Sequence, residues 1–134
     1  VSTLAGSGSP GSINGQGVNS SFNSPGHLTI DQSGNLYVTD GGNFKIRKIT
    51  PSGIVSTYAG SGIGGIVDGN SSSAQFHQPS GIVIDALGNV YVNGNVTGGS
   101  GGQGHGIMNQ DSGSVFVMNS SDWPLCLLRN LKFC

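Results

Sequence analysis

Two short stretches have the spacing of a phosphate-binding turn. Gly6, Gly8 and Gly11 in GSGSPG, and Gly60, Gly62 and Gly65 in GSGIGG, both satisfy G-x-G-x-x-G, and an aspartate (Asp31, Asp85) stands 20 residues beyond the last glycine of each. In a dinucleotide site that motif works because it opens a helix whose N-terminal amides hold the pyrophosphate. Here Ser, Asn and Gly follow, leading to Pro25 or Pro79, so the anion-binding element is lacking. Two such turns at one spacing read as connecting loops, and no cofactor is expected.

Other reactive residue types are sparse. His27, His77 and His105 share no common setting, whereas zinc needs three or four converging ligands. The six acidic residues are all Asp, none in EF-hand spacing, so no metal is expected and no catalytic residue is assigned. Cys126 and Cys134 stand eight apart and would suit a disulfide in an oxidising compartment, with no acidic or histidine partner to mark a nucleophile. KIRK contributes Lys45, Arg47 and Lys48, the one basic cluster and a weak interaction patch, with Lys45 and Arg47 on one side of a strand. Asn-x-Ser/Thr sequons at Asn19, Asn70, Asn95 and Asn119 would suit glycosylated loops of an extracellular or cell-surface protein.

Composition narrows the partners. Of the 134 residues only 8 % are charged, against ~25 % in typical soluble domains, and the net charge is −1. Nucleic acid and anionic lipid both need clustered cations, so neither is an expected partner. Apolar runs of about four or five residues fall far short of the ~20 that span a bilayer.

The elements that carry these residues are repeated. A gapless shift of 54 aligns Val1–Gly41 with Val55–Asn95, so that VSTLAGSG meets VSTYAGSG, Phe22 meets Phe76, Pro25 meets Pro79 and IDQSGNLYV meets IDALGNVYV. Apolar runs HLTID and GIVID lead into Gly-Asn turns and then LYVTD or VYVNG, which predicts hairpins. Asp31, Gly34 and Asn35, and again Asp85, Gly88 and Asn89, have turn chemistry: Asp accepts backbone N–H bonds, while Gly and Asn tolerate positive φ. FKIRKIT, a Pro51-Ser52-Gly53 turn and IVSTYAG complete four antiparallel strands. Strands are expected at 1–5, 27–31, 36–39, 44–50, 54–59, 81–85 and 89–93. A four-stranded unit at this period is the signature of a propeller blade.

At these residues the chain resembles the NHL-repeat family, whose blades show P-x-G-I-x-V-D-x-x-G-N-V-Y-V-x-D-x-x-N-x-x-I-R-K. Pro25, Asp31, Gly34, Asn35, Tyr37, Val38, Asp40, Asn43, Ile46, Arg47 and Lys48 occupy that pattern in the first copy. Pro79, Gly81, Ile82, Asp85, Gly88, Asn89, Tyr91 and Val92 occupy it in the second. The resemblance implies a six-bladed propeller. Some members bind RNA or protein on a charged face, and some are metal-dependent amidating lyases whose histidine ligands come from several blades.

The expected fold is thus all-β, a partial β-propeller: one complete four-stranded antiparallel blade, plus parts of two neighbouring blades. Residues 1–95 form the propeller section (repeats 1–54 and 55–95), and the second copy departs from the first at Asn93 and Gly94. Residues 96–134 are an irregular tail: a Gly/Ser-rich linker, a degenerate hairpin at 106–119 that could pair beside GIVID, and a short amphipathic helix at 122–134. Since closure needs at least about four blades, the chain is expected to be a piece of a larger ring or a truncated gene product, completed by further blades in cis or in trans. The function expected is a non-catalytic binding scaffold for a protein or glycan ligand. The alternative is a propeller lyase or hydrolase whose catalytic residues lie on other blades.

Overall fold

The computed structural model describes residues 1–95 and the strands Gly113–Met118 and Cys126–Leu128. The fold is all-β and propeller-like, built of antiparallel sheets. The first has the order β1-β5-β4-β3-β2, from β1 (Gly15–Gln16), β2 (Pro25–Ile30), β3 (Leu36–Asp40), β4 (Lys45–Ile49) and β5 (Ile54–Ala59). The second has the order β6-β7-β8-β9, from β6 (Pro79–Ile84), β7 (Val90–Asn95), β8 (Gly113–Met118) and β9 (Cys126–Leu128).

Each sheet begins with the same hairpin. Leu28, Thr29 and Ile30 pair with Val38, Tyr37 and Leu36, and Ile82, Val83 and Ile84 pair with Val92, Tyr91 and Val90. Alternation then sends Tyr37 to one face of the first sheet and Leu36 and Val38 to the other. The Tyr37 face packs on the second sheet. Ile46, Ala59, Ala74, Phe76, Val90 and Val92 are all 0 % exposed there, with Tyr58 edge-on to Tyr37 at a ring separation of 4.8 Å. The opposite face carries a smaller cluster of Val38, Ile49 and Val55, backed by Ala5, Phe22 and Leu36.

Three features differ from expectation. Residues 1–5 form no strand; instead β1 caps the outer edge, with Gly15 opposite Val55 and Gln16 opposite Ile54. A strand needs a neighbour for its backbone groups. The repeat-equivalent segment, β5, finds one in β4, while residues 1–5 have no such sheet beside them.

The tail also supplies strands. β8 pairs with β7, from Val90 opposite Met118 to Asn95 opposite Gly113, and not with β6 as the degenerate hairpin at 106–119 suggested. It thereby takes the place that β4 holds in the first sheet. Cys126–Leu128 is strand β9, pairing Val115 with Leu128 and Val117 with Cys126, within the span where an amphipathic helix at 122–134 was expected. The outer edge of β8 offers unpaired N–H and C=O groups, and three residues in extended form satisfy some of them. The remainder of 96–134 lies outside the described residues.

Candidate functional site

The repeated turn is built around a carboxylate. Asp31 Oδ1 accepts the backbone N–H of Ser33 (2.9 Å) and of Asn35 (2.8 Å), while Oδ2 accepts Asn35 Nδ2 (2.8 Å) and the Tyr37 hydroxyl (3.2 Å). Asp85 repeats the arrangement with the amides of Leu87 and Asn89, Asn89 Nδ2 and the Tyr91 hydroxyl. Gly34 and Gly88 close the two turns at φ +83° and +85°, which a side chain would strain. With each carboxylate oxygen accepting two bonds from its own turn, these aspartates tie the hairpins together.

Their titration follows from that geometry. Desolvation works upward on Asp31, yet the bonds from Asn35, Tyr37 and Ser33 together hold its carboxyl below the ordinary 3.8. At Asp85 the Asn89 side chain leads the same downward shift. Burial and the nearby Asp31 charge push the Tyr37 hydroxyl up to about 12 from 10.0. A carboxyl with a depressed folded pKa stabilises fully above its unfolded value and loses that contribution as pH falls through the folded one. A phenol with a raised pKa stabilises fully below 10.0 and loses its contribution as pH rises toward about 12. Urea unfolding across pH is therefore expected to show a plateau between about pH 4 and pH 10, with losses on both sides. Phenolate absorbance should appear late; titration of all three tyrosines at the ordinary value would contradict the arrangement.

The basic cluster is not a surface patch. Arg47 is 0 % exposed and its Nη1 lies 2.7 Å from Asp40 Oδ2, also 0 % exposed. The same guanidinium donates to the Ser21 carbonyl (3.0 Å), the Ile13 carbonyl (3.1 Å) and Asn14 Oδ1 (2.7 Å), and lies 5.0 Å from the Phe22 ring centre. Asp40 also accepts the Asn23 amide and Asn43 Nδ2, each at 2.7 Å. Burial of an arginine requires this neutralisation, so the expected patch of Lys45, Arg47 and Lys48 loses its central member. Lys45 reaches Ser12 Oγ at 2.9 Å, and Lys48 lies 5.7 Å from the Tyr37 ring centre. The network pins the loop of residues 11–23 to the first sheet. A signal for it exists: Asp40 pairs with Lys45, and Arg47, two residues on, lies diagonally on the same face.

The glycine loops spend their amides internally. Gly6 and Gly11 donate to the carbonyls of Gly17 and Phe22, and Gly60 and Gly65 donate to those of Ser71 and Phe76, at 2.8–3.1 Å. His27 Nδ1 sits 2.8 Å from the Ser80 carbonyl, and His77 lies beside the Phe44 ring; His105 lies outside the described residues. Among the described residues no three His, Cys, Asp or Glu converge on a metal, and no helix is long and apolar enough to cross a membrane.

The sequons differ in setting. Asn70 is exposed, and its Oδ1 accepts the hydroxyl of Ser72, the third sequon residue, at 2.8 Å. Asn19 is exposed, but its third residue, Ser21, is buried with its hydroxyl oxygen accepting the Ile13 amide. Asn95 ends β7 and Cys126 lies in β9, while Asn119 and Cys134 lie outside the described residues.

What the sequence alone did not single out is the flank of the first sheet. Leu28 and Ile30 are 61 % and 58 % exposed, whereas Ile82, 54 residues after Leu28, is 7 % exposed beneath the first sheet. Above this flank a cleft of about 560 Å³ runs between Gly6–Pro10, Phe22 and Pro25.

No protein-family model matches the chain. It is similar to the Protein SUPPRESSOR OF QUENCHING 1, chloroplastic, of Arabidopsis thaliana, 34 % identical over 83 residues, which is 61 % of this chain and 8 % of the relative. Among solved structures it resembles an auxiliary nutrient binding protein from Bacteroides thetaiotaomicron (TM-score 0.59, 28 % identity, 63 % of this chain and 24 % of that one). A second, from Bacteroides ovatus and described in the same words, gives a TM-score of 0.56 at 30 % identity, with 63 % of this chain and 23 % of that one covered. A third, from B. thetaiotaomicron and provisionally described as a phosphatase, gives 0.59 at 30 % identity over 67 % of this chain and 23 % of that one. The chain thus spans about a quarter of the solved chains it matches, and a smaller share of the Arabidopsis relative.

Proposed function

We propose that this chain is a section of an NHL-type propeller that serves as a non-catalytic binding scaffold outside the cytoplasm, for a protein or glycan ligand. The observation that carries the reading is the inequality between repeat-equivalent faces. Ile82 is buried and Ile84 half-buried against a neighbouring sheet, and Leu28 and Ile30, the same positions in the first copy, are exposed. An exposed apolar sheet face beside satisfied, inward-turned aspartates is built for contact and holds no reactive group. The nutrient-binding descriptions of two structural relatives support a binding role. The phosphatase description of another supports the competing reading, an enzyme whose catalytic residues lie on other blades.

Leu28→Gln with Ile30→Thr tests the reading. The double variant should unfold within about 0.5 kcal/mol of the parent, as exposed substitutions do, while binding less of a hydrophobic dye and aggregating less. Ile82→Thr should instead cost about 1–3 kcal/mol, since it buries a hydroxyl in an apolar interface. Equal losses from both would mean that the Leu28 face is already covered, and the scaffold reading would fall.

A further inference from the structure

We infer that Asn70 is the acceptor for an N-linked oligosaccharide in the folded chain, and that Asn19, which stands in an identical tripeptide, is not. The inference rests on the reading of the chain as a scaffold outside the cytoplasm and assigns the loop that carries the modification.

Asn19-Ser20-Ser21 and Asn70-Ser71-Ser72 are the same three residues, and both asparagines are exposed. Sequence gives no reason to prefer either. Saccharide transfer to this motif uses the asparagine carboxamide nitrogen and requires the hydroxyl of the third residue, so the two copies are separated by what the fold does with that nitrogen and that hydroxyl.

At Asn70 both groups are available. Oδ1 alone takes the local bonds, from the amides of Ser72 (3.1 Å) and Ser73 (3.0 Å) and from the Ser72 hydroxyl (2.8 Å). Among the described residues, none accepts a bond from Nδ2. Ser72 and Ser73 are exposed, and the Ser72 hydroxyl is tied only to its own asparagine, so an enzyme can take it without disturbing a distant contact. The loop is anchored through its backbone, with the Gly60 amide donating to the Ser71 carbonyl at 2.8 Å and the Ala74 amide to the Asn70 carbonyl at 2.9 Å. A saccharide on Nδ2 leaves those bonds in place.

At Asn19 the following residues are inside the fold. Ser20 and Ser21 are 1 % and 5 % exposed. Ser21 Oγ accepts the Ile13 amide at 2.9 Å, the Ser21 carbonyl accepts Arg47 Nη1 at 3.0 Å, and the Ser21 amide donates to the Ile13 carbonyl at 3.0 Å. Ser20 Oγ accepts the Gly6 amide and donates to the Gly17 carbonyl. Presenting Ser21 to an enzyme therefore means withdrawing it from the buried network around Arg47, and a free energy of local opening precedes every transfer there.

The co-substrate is a lipid-diphosphate-linked oligosaccharide. A bond forms between Asn70 Nδ2 and the anomeric carbon, the bond from that carbon to the diphosphate oxygen breaks, one carboxamide proton passes to a base of the transferase, and the lipid diphosphate leaves.

The folded full-length chain, and separately synthetic peptides of residues 15–25 and 66–76, would be incubated with an oligosaccharyltransferase and a lipid-linked oligosaccharide. Mass spectrometry of proteolytic fragments reads each site. Both peptides should be modified, since both carry the motif. In the folded chain Asn70 should be modified at least about tenfold faster than Asn19, which waits on local opening. Ser72→Ala keeps the backbone bonds to Asn70 Oδ1 and should abolish transfer to Asn70 alone, with circular dichroism unchanged. Equal rates at the two asparagines of the folded chain would overturn the assignment, as would transfer to the 66–76 peptide with none to Asn70 in the folded chain. Efficient transfer to Asn70 in this assay beside a bare Asn70 in the protein isolated from its native cells would uphold the site and count against the location outside the cytoplasm.

Discussion

Replacing Arg47 with alanine is expected to remove about 3–5 kcal/mol of stability, because the change strands the buried Asp40 carboxylate. That is a large part of the 5–15 kcal/mol typical of a folded domain, and a fall of more than ~10 °C in melting temperature should accompany it. Three effects act together. Asp40 loses its 2.7 Å partner, the carbonyls of Ser21 and Ile13 lose donors, and Phe22 loses the cation beside its ring. Arg47→Lys should fall between parent and alanine, since an ammonium keeps the charge without the planar fork that reaches Asp40, Ser21, Ile13 and Asn14 at once. The informative comparison is a double variant. Asp40→Leu with Arg47→Met removes both charges and should be less damaging than Arg47→Met alone, with a coupling energy read from the cycle. Urea unfolding measures all of these. A loss under 1 kcal/mol for Arg47→Ala would show that the pair is not the clamp described.

Phe76→Ala should cost a further 3–5 kcal/mol class of loss, about that of other fully buried phenylalanines. Its ring is 0 % exposed between the two sheets, packed in the cluster that contains Ile46, Ala59, Val90 and Val92, and its removal leaves a cavity that rigid sheets close only in part. The repeat provides its own control. Phe22→Ala removes the same side chain from the same place in the repeat, yet Phe22 is half-buried and lines an open cleft, so less than half the loss is expected. Thermal unfolding of the two variants side by side measures the difference. Matching losses would mean that the two copies are equally enclosed, and the exposed flank would lose its basis.

Much of the fold could be read from residues because its turns are chemically explicit. Asp31-x-x-Gly34-Asn35 and Asp85-x-x-Gly88-Asn89 set hairpins through bonds within five residues, which no distant part of the chain can alter. The 54-residue shift then placed Phe22 on Phe76 and Leu28 on Ile82. Sequence could not say that one of each pair would be enclosed and the other open, because enclosure belongs to the neighbouring sheet. The basic cluster failed as a patch for the same reason. Lys45, Arg47 and Lys48 are equivalent as cations along a chain, and burial of the middle one depends on Asp40 from another strand and on carbonyls from residues 13 and 21. At Cys126–Leu128 the apolar spacing favours a helix, but an open strand edge supplies hydrogen bonds that a helix end would lack.

By itself the sequence determined local geometry: the two aspartate turns, the alternation that gives each sheet its faces, and the period that makes the faces equivalent. Those depend on interactions between near neighbours and on backbone sterics, so they are written into short stretches. Only the tertiary structure decided which equivalent positions differ. It enclosed Arg47, Phe76 and Ile82, left Leu28 and Ile30 exposed and Phe22 half-buried, and set Phe44 against the second glycine loop. Burial is a property of what lies across a sheet face, and the first sheet meets the second sheet on one face and only a smaller cluster with Ala5 and Phe22 on the other.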